Sequence, residues 1–210
     1  MNFRTVLVLM LMVYLMLSQV KFIMIGGPSG IGKTTLIDHF LTIGKGFYRP
    51  KTYTTRPKRS SDQPEQFGYL SNDDFNNLRD AHFFVQVDEV LGNLYGMAVE
   101  DFGGKNLGAI AIKEIHAKDH QSFKQHFPKA VSTLILPSDW EAYRVKLLEN
   151  SELDASRSAR TDQEIEYHST ICPQKSGADV ILINDRRESI ISLADRLFCE
   201  LQKIDNYRYT

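Results

Sequence analysis

The stretch "IGGPSGIGKTTL", residues 25–36, is the most informative part of this sequence. From Gly27 to Thr34 it matches the pattern G-x-x-x-x-G-K-[ST] without a mismatch, and the apolar run "KFIMI" comes directly before it. Glycines let the backbone adopt angles that point successive N–H groups inward, and with a helix N-terminus those groups form a cradle for phosphate oxygens. The stretch therefore predicts a phosphate-binding loop between a buried strand and a helix.

The residue types in this loop indicate that the bound anion is a nucleoside triphosphate, with ATP expected, accompanied by Mg²⁺. Lys33 would neutralise charge on the β- and γ-phosphates, and the Thr34 hydroxyl would ligate the metal ion. The other residues predicted to contact the nucleotide are Gly27, Ser29, Gly30, Gly32 and Thr35. A glycine-rich turn that binds no ligand is the structural alternative.

Length and composition favour one catalytic domain, with room for a small inserted lobe. The chain has 210 residues, of which 42% are hydrophobic and 24% charged, and its formal net charge is −1. These values indicate neither disorder nor a general basic surface for nucleic acid, so any anion site must be local. Cys172 and Cys199 lie outside any metal-ligand spacing and predict reduced, buried thiols in a cytoplasmic protein. The histidines, including His120, are expected to face solvent.

Residues 1–18 form an apolar N-terminal extension, in which one arginine precedes an uninterrupted apolar run from Val6 to Leu17. That run is shorter than the roughly 20 residues of a membrane span, and no small-residue cleavage site follows it. Three interpretations stay open: an extension upstream of the domain, an extra packed helix, and a membrane anchor. Because the run is short, we expect no membrane partner, and we place the domain at residues 19–210.

Beyond the loop, strand and helix patterns alternate along the chain. The predicted strands are residues 20–26, 81–90, 107–112, 131–136 and 179–184. The predicted helices are residues 33–42, 71–80, 115–126, 138–149, a segment ending near 169, and 187–203. Residues 92–97 are predicted to form a turn, residues 49–71 irregular or edge structure, and residues 150–160 a polar connection. The alternation predicts an α/β fold, with a P-loop NTPase-type parallel sheet flanked by helices.

A second basic cluster occurs in "TYTTRPKR", residues 52–59. The proline makes a helix unfavourable there, and on an extended or turning chain Arg56 and Arg59 can both face one phosphate. Guanidinium groups bind phosphate oxygens through two parallel hydrogen bonds. The cluster therefore indicates a second phosphate site, and a solvated basic loop is the alternative.

The motifs "GPSGIGKTTL", "TYTTRPKR", "FGYLS", "YGM", "LPS" and "VILIND" occur in this chain in the order and approximate spacing of guanylate kinases. The chain resembles that family over about residues 20–201. The resemblance implies a kinase that uses ATP and Mg²⁺ to convert GMP or dGMP to GDP or dGDP, as a monomer or homodimer in the cytoplasm. It also implies an inserted acceptor-binding lobe at about residues 49–97 and a lid at about residues 150–160.

The resemblance assigns roles to individual residues on the acceptor side. Residues that would hold the acceptor's phosphate are Arg56, Arg59, Tyr69 and Tyr95. Thr52 takes the place of a serine that touches the base. Arg157 aligns with a lid arginine that would neutralise charge on the transferring phosphoryl group, and Arg160 lies one turn further on. Arg56 and Arg157 are thus the predicted catalytic residues beside Lys33.

Several positions depart from the family pattern, chiefly where the base is recognised. Gln86 stands where a glutamate accepts hydrogen bonds from guanine, and Met97 stands where a serine or threonine is usual. The resemblance places two carboxylates near the base and the metal at the end of the next strand; only Glu114 is retained, as a predicted substrate-binding residue, because Ile112 replaces the other. The arginine expected near residues 147–150 is also missing. The phosphate-binding residues are therefore better preserved than the base-reading ones.

These departures leave two other functions open. One is a kinase of the same fold that acts on a phosphosugar, as the related ribose bisphosphate phosphokinases do, and the loss of base-reading carboxylates favours it. The other is a non-catalytic interaction domain, which the intact Lys33 and Thr34 disfavour. Phosphorylation of GMP remains our first expectation.

Overall fold

The computed structural model of the chain describes residues 3–43, 46–60, 62–90, 92–106, 108–149, 155–170, 177–185 and 188–204. The chain divides into two compact units. Unit 1 consists of residues 1–22, 46–112 and 122–130, and unit 2 consists of residues 23–45, 113–121 and 131–210.

The described chain alternates strands with helices. The strands are β1 Lys21–Gly26, β2 Phe47–Tyr48, β3 Thr52–Thr54, β4 Phe67–Tyr69, β5 Phe84–Val90, β6 Asn93–Ala98, β7 Ile110–Glu114, β8 Val131–Leu136 and β9 Val180–Ile183. The helices are α1 Phe3–Leu17, α2 Lys33–Thr42, α3 Asn72–Asp80, α4 His120–His126, α5 Trp140–Glu149, α6 Ala155–Thr170 and α7 Ile190–Lys203. The bounds of α2, α3 and β8 agree closely with those predicted from the sequence.

The central sheet has the strand order β2-β7-β1-β8-β9. The pairs β1 with β8, β8 with β9 and β2 with β7 are parallel. β8 is buried at every position and β1 at all but its first residue, as expected for strands with both faces covered. The predicted α/β fold with a parallel sheet flanked by helices is confirmed.

A second sheet of four strands lies in unit 1, in the order β4-β3-β6-β5. The prediction of a turn at residues 92–97 is wrong, because β6 occupies most of that stretch and pairs antiparallel with both β3 and β5. The turn is confined to the start of the stretch, where Gly92 has a φ of 74° that suits a tight hairpin. Residues 49–71 contribute the two short strands β3 and β4, and β4 is an edge strand.

The segment around β7 also differs from the prediction. β7 runs from Ile110 to Glu114, two residues past the predicted end, and its start is set by pairing with the short strand β2. The Ile115 amide then donates to the Ile25 carbonyl (3.2 Å), which holds the chain extended before a single 3₁₀ turn at Ala117–Asp119. The helix predicted from residue 115 therefore begins only at His120.

The helices near the predicted lid begin at other residues than expected. Residues 155–160 belong to α6, so the second half of the polar segment 150–160 is helical, consistent with its alanine and arginine content. The first half lies outside the described residues. α5 starts at Trp140, two residues later than predicted, and α7 starts at Ile190, where the Ser189 hydroxyl accepts from the Ser192 amide.

The N-terminal run forms the helix α1, whose last turn packs within unit 1. Leu17 is buried and Met16 lies against Gly103. Among the α1 side chains that the structure describes, the exposed large apolar ones are Leu7, Val8, Leu11, Met12, Tyr14 and Leu15. None of the helices in the described part of the chain has the length and apolar character to cross a membrane.

Predictions about three single side chains are wrong. Cys199 is exposed on α7, while Cys172 lies outside the described residues. His120 and His168 are buried rather than solvent-facing. The His120 ring is held at both nitrogens, by the Ser132 hydroxyl (2.6 Å) and the Ile115 carbonyl (3.1 Å), which explains how a polar ring is accommodated there.

Each unit has its own apolar core. In unit 1 the ring of Phe22 packs against Phe102, Phe123 and Phe127, with centroid distances of 5.8, 6.1 and 5.2 Å. In unit 2 the buried residues of α2 pack against α7, whose inward positions recur every three or four residues. These α7 residues are Leu193, Ala194, Leu197 and Leu201.

Replacing Phe22 by alanine should lower the free energy of unfolding by about 3–5 kcal/mol, because the fully buried ring would leave a cavity among three other rings. Urea denaturation followed by circular dichroism measures the change. Phe198→Ala is the matched control, since Phe198 is 36% exposed and its loss should cost clearly less than the loss of Phe22. Equal effects of the two variants would contradict the assignment of Phe22 to the core.

Candidate functional site

The predicted phosphate-binding loop follows β1 and leads into α2. Gly27, Gly30 and Gly32 have φ values of 138°, 79° and 106°, in the region that side chains other than glycine rarely adopt. A Cβ on Gly27 would lie 2.3 Å from the Ile135 carbonyl oxygen, so the loop backbone passes very close to β8. The glycines of the pattern are therefore required by this backbone.

The first residue of α2 is Lys33, and its ammonium group lies over the loop. Lys33 Nζ donates to the carbonyl oxygens of Gly27 and Pro28, each at 2.8 Å. Gly32 is the N-cap and has no side chain that could cap the helix. A positive charge and the N-terminal end of a helix are thus combined beside the glycine backbone, an arrangement that favours a bound polyphosphate.

Thr34 is paired with Glu114, and this contact joins two elements of unit 2. The Thr34 hydroxyl donates to Glu114 Oε1 at 2.9 Å. Glu114 is the last residue of β7, which ends two residues later than the sequence predicted. A hydroxyl oxygen and a carboxylate oxygen are the ligand types that Mg²⁺ prefers, so these residues fit the metal expected with ATP. Ser29 and Thr35, the other predicted contacts with side chains, are exposed.

Two further residues contact the loop, although sequence reasoning gave them no role in it. Tyr143 on α5 donates its hydroxyl proton to the Ser29 carbonyl, and the Asn184 amide at the end of β9 donates to the Ile31 carbonyl at 2.8 Å. Both side chains are buried. Asn184 belongs to the "VILIND" motif, which signalled its position; nothing in the sequence signalled Tyr143.

In unit 1 the donors predicted for the acceptor's phosphate converge on the carboxylate of Asp62. Arg56 binds it with both terminal nitrogens, Nη1 to Oδ2 at 2.7 Å and Nη2 to Oδ1 at 2.8 Å. The Tyr69 hydroxyl and the Arg59 amide donate to Oδ2 at 2.5 and 2.7 Å. The Arg56 and Asp62 side chains are only 7% and 8% exposed. These donors therefore already surround one carboxylate.

The surroundings of Arg56 keep this cluster charged. Its guanidinium lies over the ring of Phe67, 4.6 Å from the centroid, which fixes the plane of the fork. Hydrogen bonds from Arg56 hold the pKa of Asp62 well below its usual range, and Tyr69 and Arg59 act in the same direction. Burial raises the pKa of Tyr69, and its hydrogen bond to Asp62 adds to the effect, so the hydroxyl remains a donor.

Sequence reasoning missed Asp62, and the phosphate-binding role expected for the Arg59 side chain stays a prediction. The Arg59 side chain is exposed, and it is the backbone amide that contacts the carboxylate. Tyr95 on β6 acts electrostatically on Arg56, so it does lie near the cluster. Thr52 is half-buried in β3. It lies two residues before Thr54, which pairs with Tyr95 of β6. An acidic residue three positions after Arg59 was the available signal for Asp62.

Gln86 lies on β5 and uses its side-chain nitrogen within unit 1. Nε2 donates to Asp88 Oδ1 at 3.1 Å and to Ser122 Oγ at 3.2 Å. Its pairing partner on β6 is Met97, which is buried. The amide at this position is thus fixed by two neighbours that the sequence analysis did not identify.

Arg157 and Arg160 lie in the first turns of α6, and their side chains fall outside the described residues. Lys146, the nearest cation to the missing arginine, is exposed on α5. Arg144 on α5 and Asp162 on α6 form an ion pair (2.8 Å) between half-exposed side chains. The roles expected for Arg157 and Arg160 therefore stay predictions.

Comparison with known proteins identifies a family. The family model described as guanylate kinase matches residues 19–199. A guanylate kinase of Prochlorococcus marinus (strain MIT 9312) is 30% identical over 126 residues, which cover 59% of this chain and 68% of that protein. A guanylate kinase of Nostoc sp. is 28% identical over 177 residues, covering 81% of this chain and 85% of that protein.

A solved structure agrees in fold. The crystal structure of guanylate kinase from Anaplasma phagocytophilum superposes with a TM-score of 0.61 and 19% sequence identity, covering 92% of this chain and 89% of that chain. At this identity the likeness concerns the fold alone.

Replacing Asp62 by asparagine should lower the stability of the protein at pH 7, because it leaves the buried Arg56 charge without its anionic partner. The pKa of Asp62 lies below its unfolded value of 3.8, so the carboxylate's contribution is present above pH 4 and is lost as the pH falls further. Urea denaturation between pH 3 and 7 should therefore show a weaker acid dependence for Asp62→Asn than for the wild type. Asp80→Asn, at a 75% exposed site, should retain the wild-type dependence, and identical slopes for all three proteins would contradict the prediction.

Proposed function

Because this chain belongs to the guanylate kinase family, we propose that it transfers the γ-phosphoryl group of ATP to GMP and releases ADP and GDP. The observation that carries the proposal is the convergence of Arg56, Tyr69 and the Arg59 amide on one anionic group. This donor set lies in the segment that resembles the family's acceptor-binding lobe. Such an ATP-dependent activity is expected in the cytoplasm, with nucleotides rather than nucleic acid as partners and a monomer or homodimer as the working form.

The loop and its neighbours fit a bound ATP and Mg²⁺. Lys33 would turn from the carbonyls of Gly27 and Pro28 to the β- and γ-phosphate oxygens, exchanging two neutral acceptors for charged ones. Thr34 and Glu114 would hold the metal ion through their oxygens. When bound there, Mg²⁺ supplies charge neutralisation for the transferring phosphoryl group.

On the acceptor side, we propose that the phosphate of GMP takes the place of the Asp62 carboxylate. Arg56 is buried, so its charge needs an anionic partner in the free protein as well as in the complex. Exchanging a carboxylate for a phosphate keeps that charge paired at every stage. Tyr69 and Tyr95 would add donors on one side, and the exposed Arg59 side chain could swing onto the phosphate.

Catalysis in this proposal consists mainly of positioning and charge neutralisation. The acceptor phosphate is already ionised at neutral pH, so no general base is needed. Lys33 neutralises charge on the donor, Arg56 orients the acceptor, and Arg157 from α6 is proposed to neutralise the transferring group's equatorial oxygens. Thr52 and Gln86 are proposed to contact the base.

A panel of phosphate acceptors tests the proposed activity. ADP release is measured with ATP and Mg²⁺ against GMP, dGMP, AMP, CMP and a ribose bisphosphate, and we expect the highest kcat/KM with GMP. Lys33→Ala should lower kcat/KM at least about 100-fold, because a charge that stabilises the transition state is removed. Lys203→Ala is the control, since this 68% exposed lysine pairs only with its own helix neighbour Glu200 among the interactions described.

Two outcomes would overturn the proposal. ADP release with the ribose bisphosphate but not with GMP or dGMP would assign the chain to a phosphosugar kinase. The absence of Mg²⁺-dependent binding of an ATP analogue would favour a non-catalytic interaction domain.

Replacing Arg56 by lysine should raise the KM for GMP about tenfold or more, because an ammonium group cannot form the two parallel hydrogen bonds of the guanidinium fork. The KM for ATP should change far less, and steady-state kinetics with each substrate varied in turn measures both. Arg79→Lys, at a 48% exposed position on α3, is the control. Equal changes in the two KM values would argue against a specific role of Arg56 at the acceptor.

A further inference from the structure

Two side chains outside the phosphate-binding loop hold the carbonyl groups of peptides within it. The Tyr143 hydroxyl donates to the Ser29 carbonyl, and Asn184 Nδ2 donates to the Ile31 carbonyl at 2.8 Å. Tyr143 is 5% exposed and Asn184 is 8% exposed; the Asn184 hydrogen bond is buried and the Tyr143 hydrogen bond is partly buried. The two donors come from separate elements, α5 and the end of β9.

A carbonyl that is held in one direction also determines the direction of the next N–H group. In a planar trans peptide the C=O and N–H bonds point to opposite sides. Holding the Ser29 carbonyl therefore directs the Gly30 amide away from Tyr143, and holding the Ile31 carbonyl directs the Gly32 amide away from Asn184. Both amides belong to glycines of the phosphate-binding pattern.

These glycines need their peptides held in place, because a glycine backbone can adopt many conformations. Gly30 and Gly32 have φ values of 79° and 106°, and without a Cβ each can exchange between several backbone conformations at low cost. A peptide that turned over would present a carbonyl oxygen to the phosphates instead of an N–H group, which repels the anion. We infer that Tyr143 and Asn184 are positioning residues that keep the loop amides directed at the triphosphate. This inference rests on the proposed use of ATP.

The packing of both donors suits this role. The Asn184 amide nitrogen would lie 3.1 Å from a Cβ on Gly32, and the Asn184 backbone N–H is bonded to the Leu136 carbonyl at the end of β8. The Tyr143 ring packs against Trp140 edge-on, with centroids 6.2 Å apart. Asn184 thus links the loop to the end of β9, and Tyr143 links it to α5.

The test uses Tyr143→Phe, which removes the hydroxyl and keeps the ring. Tyr14→Phe, at a 53% exposed position on α1, is the matched control for the same chemical change. Binding of ATP·Mg²⁺ and of inorganic tripolyphosphate is measured by calorimetry for both variants and the wild type, alongside the melting temperature and the KM for each substrate. Tripolyphosphate is included because it has no base or sugar.

We expect Tyr143→Phe to weaken the binding of ATP and of tripolyphosphate by the same factor, about three- to tenfold, as the loss of one hydrogen bond implies. The KM for ATP should rise while the KM for GMP stays unchanged, a split that a purely structural role would not produce. Asn184→Ala should show the same pattern, and Tyr143→Phe still decides the question if Asn184→Ala does not fold.

Three results would overturn the inference. Weaker binding of ATP with unchanged binding of tripolyphosphate would mean that Tyr143 contacts the base. Unchanged binding of both ligands, or parallel increases in both KM values, would mean that the hydroxyl only stabilises the fold. Failure of the wild type to phosphorylate GMP while it binds tripolyphosphate would instead count against the proposed acceptor and leave this test intact.

Discussion

The close approach of the loop backbone to β8 is the constraint on which the candidate donor site depends. At Gly27 there is no room for even a methyl group, because the Ile135 carbonyl oxygen occupies that position. The chain can therefore leave β1 only by a sharp, glycine-built turn, and this turn brings the start of α2 next to the end of the sheet. A packed parallel sheet thus produces a cluster of amides and one lysine at its carboxyl edge, which is where ligands bind in open α/β sheets.

The acceptor side follows a different physical rule, that a buried charge needs a partner at all times. Arg56 is buried beneath aromatic rings. The carboxylate of Asp62, which comes from the same loop, neutralises its charge. Lys33 donates to the carbonyls of Gly27 and Pro28, and its ammonium group turns freely on a flexible stem, so it can change partners when a phosphate binds. The guanidinium fork is rigid, so it is matched by a rigid counter-ion.

The sequence predicted the parallel sheet, the glycine loop and the bounds of α2 because these depend on local patterns. It failed where a distant partner decides the outcome. Residues 93–98 include asparagine and glycine, which favour turns. The structure makes them a central strand because β3 and β5 pair with them on either side. The contacts of Asp62 and Tyr143 depend on how a loop folds back and on which helix packs beside it, and no short-range pattern encodes either. Glu114 was identified from the family resemblance, whereas its hydrogen bond with Thr34 became visible only in the structure, where Glu114 is the last residue of β7.

The hydrogen bond between Gln86 and Asp88 has an evolutionary consequence. The two residues are neighbours on one face of β5, where the Gln86 amide donates to the Asp88 carboxylate. A glutamate at position 86 would replace the amide that donates to Asp88 with a second carboxylate, so a hydrogen bond would give way to repulsion between like charges. Positions 86 and 88 are therefore expected to be coupled: a glutamate at position 86 would cost less stability if Asp88 were neutral.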